Sequence, residues 1–284
     1  MRLRALAIAV VLAALAFPQL SVAAPSDQPV FDRVMKDRTL RCSYFNYAPY
    51  VYKDPNTGKL AGSFYELTEK LGKVLNLKIQ WMPETTFTTF VPDMTSGRYD
   101  VFCGGLWPLT DSAPYMTYTD SVFYTPYYIY VRASDHRFDK DASLLNNPKY
   151  KFATIDGEGG MTVKQSDFPN SGKDELPNTT DIAQLLLEVT NGRADATVIE
   201  PSVANLYLKT NPGKVRALSL RAPVRVFATV WAVPANEQKL ANWLNNGVKQ
   251  MLASGYVEPI VSKYHPAGTY FPVAKPYVIT GDKP

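Results

Sequence analysis

Histidine and cysteine are nearly absent: His136, His265, Cys42 and Cys103 are the only ones among 284 residues. The sequence has no C-x-x-C, no Cys/His pair at metal-ligand spacing and no H-E-x-x-H, so a protein-built metal centre is not indicated. The G-x-S-x-G elbow and the phosphate-binding P-loop are also missing. The run "GEGG", Gly157 to Gly160, follows an expected strand but lacks the third glycine of a dinucleotide fingerprint, so no cofactor is called for. Lysine and arginine (30) nearly balance aspartate and glutamate (26), and no basic run interleaves with aromatics, which argues against a nucleic-acid partner. Beyond Phe17 no apolar stretch approaches the roughly 20 residues that a membrane-spanning helix needs.

What is present begins with "MRLRALAIAVVLAALAFPQLSVAAPSDQ". Arg2 and Arg4 precede an apolar stretch from Ala5 to Phe17, then small residues at Ser21 and Ala23. This is the pattern of a secretory signal peptide, residues 1–23, cut after Ala23. No cysteine follows to carry a lipid, so a soluble exported product is expected, in the periplasm. Its 46% hydrophobic content supplies cores for two compact lobes. The two cysteines each fall within an expected strand. In an exported chain they can pair or remain two ordinary buried thiols, and the sequence leaves both open.

The remaining chain writes one phrase twice, "TSGRYDVFCGG" from Thr95 and "TNGRADATVIE" from Thr190. Each copy reads as a helix end, a glycine turn and a buried strand. Before the second copy, Ile182, Leu185, Leu186 and Val189 share one helix face, with Asp181 placed to cap it. Helix, turn and strand make half of a βαβ unit, so two α/β lobes built alike are expected. In the first, "TLRCSYF" is a strand, "SFYELTEKLGKVL" a helix with Phe64, Leu67, Leu71 and Val74 inward, "LKIQWM" a strand and Phe87 to Thr95 a helix leading into "DVFCGG". In the second, "KFATI" is a strand ending in "DGEGG", followed by the Asp181 helix, the "ATVIE" strand, a helix from Ser202 to Lys209 and the strand "VRALSL". The run "YTPYYIYV" reads as a connecting or edge strand because of Pro126. "FATVWAV" recrosses between lobes, and Glu237 to Ser254 is a closing helix.

Parallel sheets present ligand-facing loops at the carboxyl ends of their strands. Those ends carry Tyr44, Tyr47 and Tyr50; Gly104, Gly105 and Trp107; and Asp156, Glu158 and Glu200. Facing lobes would make them the lining of a cleft.

Four stretches in order resemble the type 2 periplasmic solute-binding proteins of amino-acid ABC importers, family 3. They are "YAPYVYKDPNTGKLAGSFYELTEKLGKVLNL", "SGRYDVFCGG", "MTYTDSVFY" and "NGRADATVIE", and the resemblance runs from Arg38 to Tyr264. It implies two Rossmann-like lobes with parallel-type sheets, joined by two crossing strands and closing on solute by a hinge. The implied lobes are residues 24–124 with 231–284, and residues 125–230. The same topology sets the first and third strands side by side, bringing Cys42 near Cys103.

Carried over residue by residue, Tyr47 matches the aromatic that stacks on the ligand. Gly104, Gly105 and Trp107 fall where relatives contact it, and Glu158 and Gly159 where relatives use a hydroxyl pair for the ligand carboxylate. Ser112 stands where relatives carry the arginine that grips that carboxylate, with no basic residue from Leu106 to Asp120 to replace it. Glu200 matches the acid that binds the α-amino group. Amine recognition is thus retained and carboxylate recognition lost. The implied protein is a monomeric receptor delivering an amine-bearing or cationic solute to an inner-membrane ABC permease. The rival readings are a periplasmic dehydratase of the same fold, acting on prephenate or arogenate, and an accessory binding module for a membrane or redox partner.

Overall fold

The computed structural model describes residues 28–218 and 222–275; the expected signal peptide and the end of "VRALSL" lie outside them. The strand Thr39–Ser43 is flanked in parallel by Lys78–Trp81 and Val101–Leu106. The helix Ser63–Leu75 covers them, burying Phe64, Leu67 and Leu71 while Val74 stays half-buried. The next helix is Phe90–Thr95, starting three residues after the expected Phe87 because Thr86 to Thr89 form a hydroxyl-bonded turn. The helix Gln238–Ala253 docks Leu240, Leu244, Val248 and Met251 on this lobe, with Trp243 half-buried, and ends before Gly255 as expected. Helices Pro29–Asp37 and Val257–Tyr264 were not read from the sequence.

The repeated phrase has a structural cause. Gly97 and Gly192 close the two helices in the left-handed region, at φ 75° and 74°, where a side chain is strained. Arg98 then folds back onto Asp93, its Nη1 2.6 Å from Oδ1, and Arg193 does the same with Glu188, Nη2 2.6 Å from Oε1. Next, Asp100 and Asp195 tie the coming strand to its neighbour twice. The amide of Asp100 donates to the Arg41 carbonyl (2.9 Å) and its carboxylate accepts from the Arg41 amide (2.7 Å); Asp195 repeats this with Lys151 at 2.8 and 3.0 Å. Flanking arginines, Arg33 and Arg41 on one, Arg132 and Arg137 on the other, neutralise these carboxylates. The phrase is a device for starting a parallel strand in register.

In the second lobe Lys151–Ile155 pairs in parallel with Ala196–Ile199 and with Gly172–Leu176. The sequence reading ran directly from "DGEGG" to the Asp181 helix; the structure inserts the helix Gly159–Asp167 and the strand Gly172–Leu176 between them. Their signals are weak because the helix opens on two glycines and the strand lies at the sheet edge, reading "GKDEL". The Asp181 carboxylate accepts from the Ala183 amide at 2.9 Å, beneath the buried Ile182, Leu185, Leu186 and Val189.

Two long antiparallel strands, Phe123–Arg132 and Arg225–Pro234, link the lobes. The first pairs onward with Ala196–Ile199 and the second with Val101–Leu106, making one continuous sheet. Of the two readings of this strand, connecting or edge, the connecting one therefore holds, and Pro126 sits in an interior strand that connects the lobes. It is tolerated because Pro126 pairs with Val226 on one side while the other side lies between the partners Phe271–Pro272 and Ala196–Ile199. Cys42 and Cys103, on neighbouring strands with Cα atoms 5.4 Å apart, form a disulfide.

Candidate functional site

Each lobe sends its strand ends to the cleft. In the first lobe, Val101–Leu106 delivers Trp107 through Gly105, whose φ is 77° and where an added Cβ would stand 2.7 Å from the Phe64 ring. In the second, both strands run into helices through a glutamate. Glu158 precedes the helix Gly159–Asp167 and Glu200 precedes Pro201–Thr210.

These side chains meet. Tyr47 Oη donates to Glu200 Oε2 at 3.1 Å across the cleft, and Tyr127 Oη, from the first crossing strand, donates to Glu158 Oε1 at 2.8 Å. The Trp107 ring stands edge-on to both tyrosines, with centroids 5.8 Å from Tyr47 and 5.3 Å from Tyr127. Tyr50 Oη lies 3.1 Å from Thr125 Oγ1, which lies 2.8 Å from Thr229 Oγ1, so the loop carrying Tyr47 is tied to both crossing strands. Farther out, Asn178 Nδ2 donates to Thr88 Oγ1 at 2.6 Å between the lobes. The inner cavity of this closed cleft is about 20 Å³, room for about one water. Its walls include Phe45, Tyr47, Tyr50, Phe87, Phe90 and Trp107, with Gly104, Gly105, Ser112 and Gly159. An outer cavity of about 170 Å³ shares Phe45, Tyr47 and Phe87 with it and adds Asn46, Glu84, Asn178 and Asp181. No lysine or arginine of the described residues lines either one.

Of the expected residues, Tyr47, Gly104, Gly105, Trp107, Ser112 and Gly159 line the inner cavity, and Glu200 lies behind Tyr47. Three expectations are corrected. Tyr44 does not line either cavity; its ring packs edge-on against Trp81. Asp156 is exposed at the surface, because the turn after Ile155 carries it outward before Glu158 returns. Glu158 is buried but engaged: it caps its helix, Oε2 accepting from the Gly160 amide at 2.6 Å. The Ser112 hydroxyl is engaged too, with the Leu109 carbonyl and Tyr118. Sequence reasoning missed Phe45, Phe87, Phe90 and Tyr127. The first alternates with Tyr44 along the chain, so only the pleat decides which faces the cleft.

Glu158 and Glu200, 1% and 0% exposed, are pushed up to about 7 and about 8. Burial is the main cause for both, and the charge of Glu158 adds to Glu200. An exposed glutamate titrates near ~4.3, so opening the cleft returns both groups toward that value. Protons therefore favour the closed state. That preference is full below the open-state value and is lost as pH rises through about 7 and 8. Without solute, acidification from pH 8.5 to 5.5 is expected to compact the protein. The limiting slope is ~1.4 kcal/mol per pH unit for each titrating group. Small-angle scattering across that range checks it; a constant radius of gyration would contradict the assignment.

Comparison with known proteins agrees with this geometry. The pattern of the bacterial extracellular solute-binding proteins, family 3, matches residues 42–267. The chain belongs to that family. It is a solute-binding protein of the amino-acid ABC transporter type. It is 26% identical over 190 residues to a probable amino-acid ABC transporter-binding protein of Haemophilus influenzae, covering 64% of this chain and 68% of that one. It is 23% identical to the arginine-binding extracellular protein ArtP of Bacillus subtilis, over 77% of this chain and 82% of that one. Among solved structures, the ancestral amino acid-binding protein AncCDT-1, a precursor of cyclohexadienyl dehydratase, superposes with a TM-score of 0.71 at 26% identity, covering 82% of this chain and 97% of the other. The type 2 periplasmic binding fold is thereby shown. Family 3 binding proteins act outside the cytoplasm with ABC permeases, and no helix of the described residues is long and apolar enough to cross a membrane.

Proposed function

We propose that this family 3 protein captures a small amine-bearing or cationic solute between its lobes and hands it to an ABC permease as a monomeric periplasmic receptor. The observation that carries the reading is the charge of the cleft. Two buried acids, Glu200 held by Tyr47 and Glu158 held by Tyr127, lie behind an aromatic-walled cavity that no lysine or arginine of the described residues lines, and serine stands at position 112. An ammonium held between a carboxylate and an aromatic face gains a charge-assisted bond and about 0.5 to 2 kcal/mol from the ring. A ligand carboxylate would face two acids across a poorly solvated gap, which costs several kcal/mol. A solute that replaces protons on these acids also explains why so polar a pair is kept in an apolar pocket.

A dehydratase reading draws on one observation, two carboxyls titrating near neutrality, as general acid–base chemistry requires. Prephenate and arogenate carry carboxylates, so the same lack of lining cations counts against them. Calorimetry at pH 7.5 with alkylamines, basic amino acids, dicarboxylates and prephenate separates the readings. Amine binding with compaction in solution is expected; tight dicarboxylate binding, or turnover of prephenate, would overturn the proposal.

A further inference from the structure

Most polar groups of the cleft are satisfied, and the exceptions define what a solute must bring. Among buried side chains, Glu200 Oε1, Ser202 Oγ and Trp107 Nε1 have no hydrogen-bond partner. All three residues are at least nine-tenths buried, where an unpaired polar atom costs about 1 to 3 kcal/mol. The proton inventory shows why Glu200 Oε1 stays open. The Tyr47 phenol has one proton and gives it to Glu200 Oε2; that of Tyr127 goes to Glu158 Oε1, and the Gly160 amide serves Glu158 Oε2. Within this cluster the ionised form of Glu200, the form a cation selects, keeps Oε1 unpartnered and able only to accept.

Trp107 Nε1 is the complementary case, since an indole N–H can only donate. The Trp107 ring lies against both tyrosines that hold the glutamates, so its N–H and Glu200 Oε1 belong to one compact cluster. A solute that satisfies both must carry a donor at one end and an acceptor at the other. The donor faces a carboxylate and is best met by an ammonium. The acceptor has to be uncharged, because a single indole N–H cannot offset an anion beside Glu158 and Glu200 with no cation among the described residues of the lining.

We propose that the solute is a small ammonium compound whose second polar group is a neutral oxygen, an amino alcohol or amino amide, with Glu200 reading the ammonium and Trp107 the oxygen. This rests on the cationic reading above and narrows it. Trp107 is then a specificity-determining residue that acts through its N–H as well as its ring.

The test is isothermal calorimetry of the full chain at pH 7.5 with four probes: 3-amino-1-propanol, n-butylamine, β-alaninamide and β-alanine. In the parent protein, the alcohol is expected to bind about tenfold or more tighter than the butylamine of matching length, and the amide about tenfold or more tighter than the acid. In Trp107→Phe, which keeps an aromatic wall but no N–H, the alcohol is expected to fall to within about threefold of butylamine, the ratio of the two affinities being the readout. Equal binding of alcohol and butylamine by the parent protein, or of β-alanine and its amide, would overturn this inference while leaving the cationic reading standing. Loss of both amines to the same extent in Trp107→Phe would assign Trp107 a purely structural role and overturn it as well. No binding of any amine would overturn both readings. The parent comparison decides even where the variant does not fold.

Discussion

Replacing both cysteines in a Cys42→Ala, Cys103→Ala variant is expected to lower the melting temperature by about 5 to 15 °C. The bridge joins positions 61 apart in sequence. Closing a loop of that length in the unfolded chain corresponds to roughly 4 kcal/mol in the chain-entropy account, and bridges commonly deliver about 2 to 4. For a protein of this size each kcal/mol moves the midpoint by ~2 to 4 °C. The location adds to the effect, because both sulfurs are fully buried between adjacent strands of the first lobe. One of those strands runs on toward Tyr47 and the other toward Trp107, so the bridge also braces the two loops that form the aromatic half of the cleft. Scanning calorimetry of the oxidised parent and the variant measures the difference; a change below 2 °C would remove the disulfide from any account of stability.

Glu200→Gln is expected to weaken a cationic solute by about 1.5 to 3 kcal/mol, or roughly 10- to 150-fold, the value of a hydrogen bond to a charged group. The substitution keeps the shape, and with its amide oxygen turned to the position of Oε2 it still accepts from Tyr47. What it removes is the charge. Glu158→Gln serves as the comparison. Its carboxylate is occupied by Tyr127 and the Gly160 amide, so its loss acts on the solute only at longer range and is expected to weaken binding several-fold less. Ligand titrations of both variants give the answer. Equal effects, or parent-like affinity in Glu200→Gln, would place the solute elsewhere in the cleft.

Much of this was legible in the chain. The helix Ser63–Leu75 was read to the residue, and the crossing "FATVWAV" strand and the closing helix were anticipated, whereas Asp181 serves the turn before the helix Gln184–Thr190 rather than capping it. The successful readings rest on local signals: apolar spacing and a glycine after the last turn. Where local signals conflicted or were faint, the reading failed. "GGMTVKQSD" opens on glycines and "GKDEL" is polar, yet both fold because the neighbouring strand Lys151–Ile155 offers them a partner. Pro126, by its missing N–H, left the strand as connecting or edge, and only the pairing of neighbouring strands shows which side of the chain needed that N–H.

The candidate site divides along the same line. Sequence alone determined that glutamates and aromatics cluster at strand ends and that no lysine or arginine lies between Leu106 and Asp120; the resemblance added the expectation that Glu200 takes the amine. These are statements about residue type and order, which the chain carries directly. Tertiary structure decided that Phe45 rather than its neighbour Tyr44 lines the cavity, and that the turn after Ile155 leaves Asp156 exposed and Glu158 buried. It brought in Tyr127 from a crossing strand, and it separated the engaged carboxylate of Glu158 from the open oxygen of Glu200. For Tyr44 and Phe45 the physical reason is that successive residues of an extended chain point to opposite faces, so a shift of one position exchanges inside for outside. A buried acid is bound or free according to which distant phenol arrives beside it, and that depends on how the two lobes close.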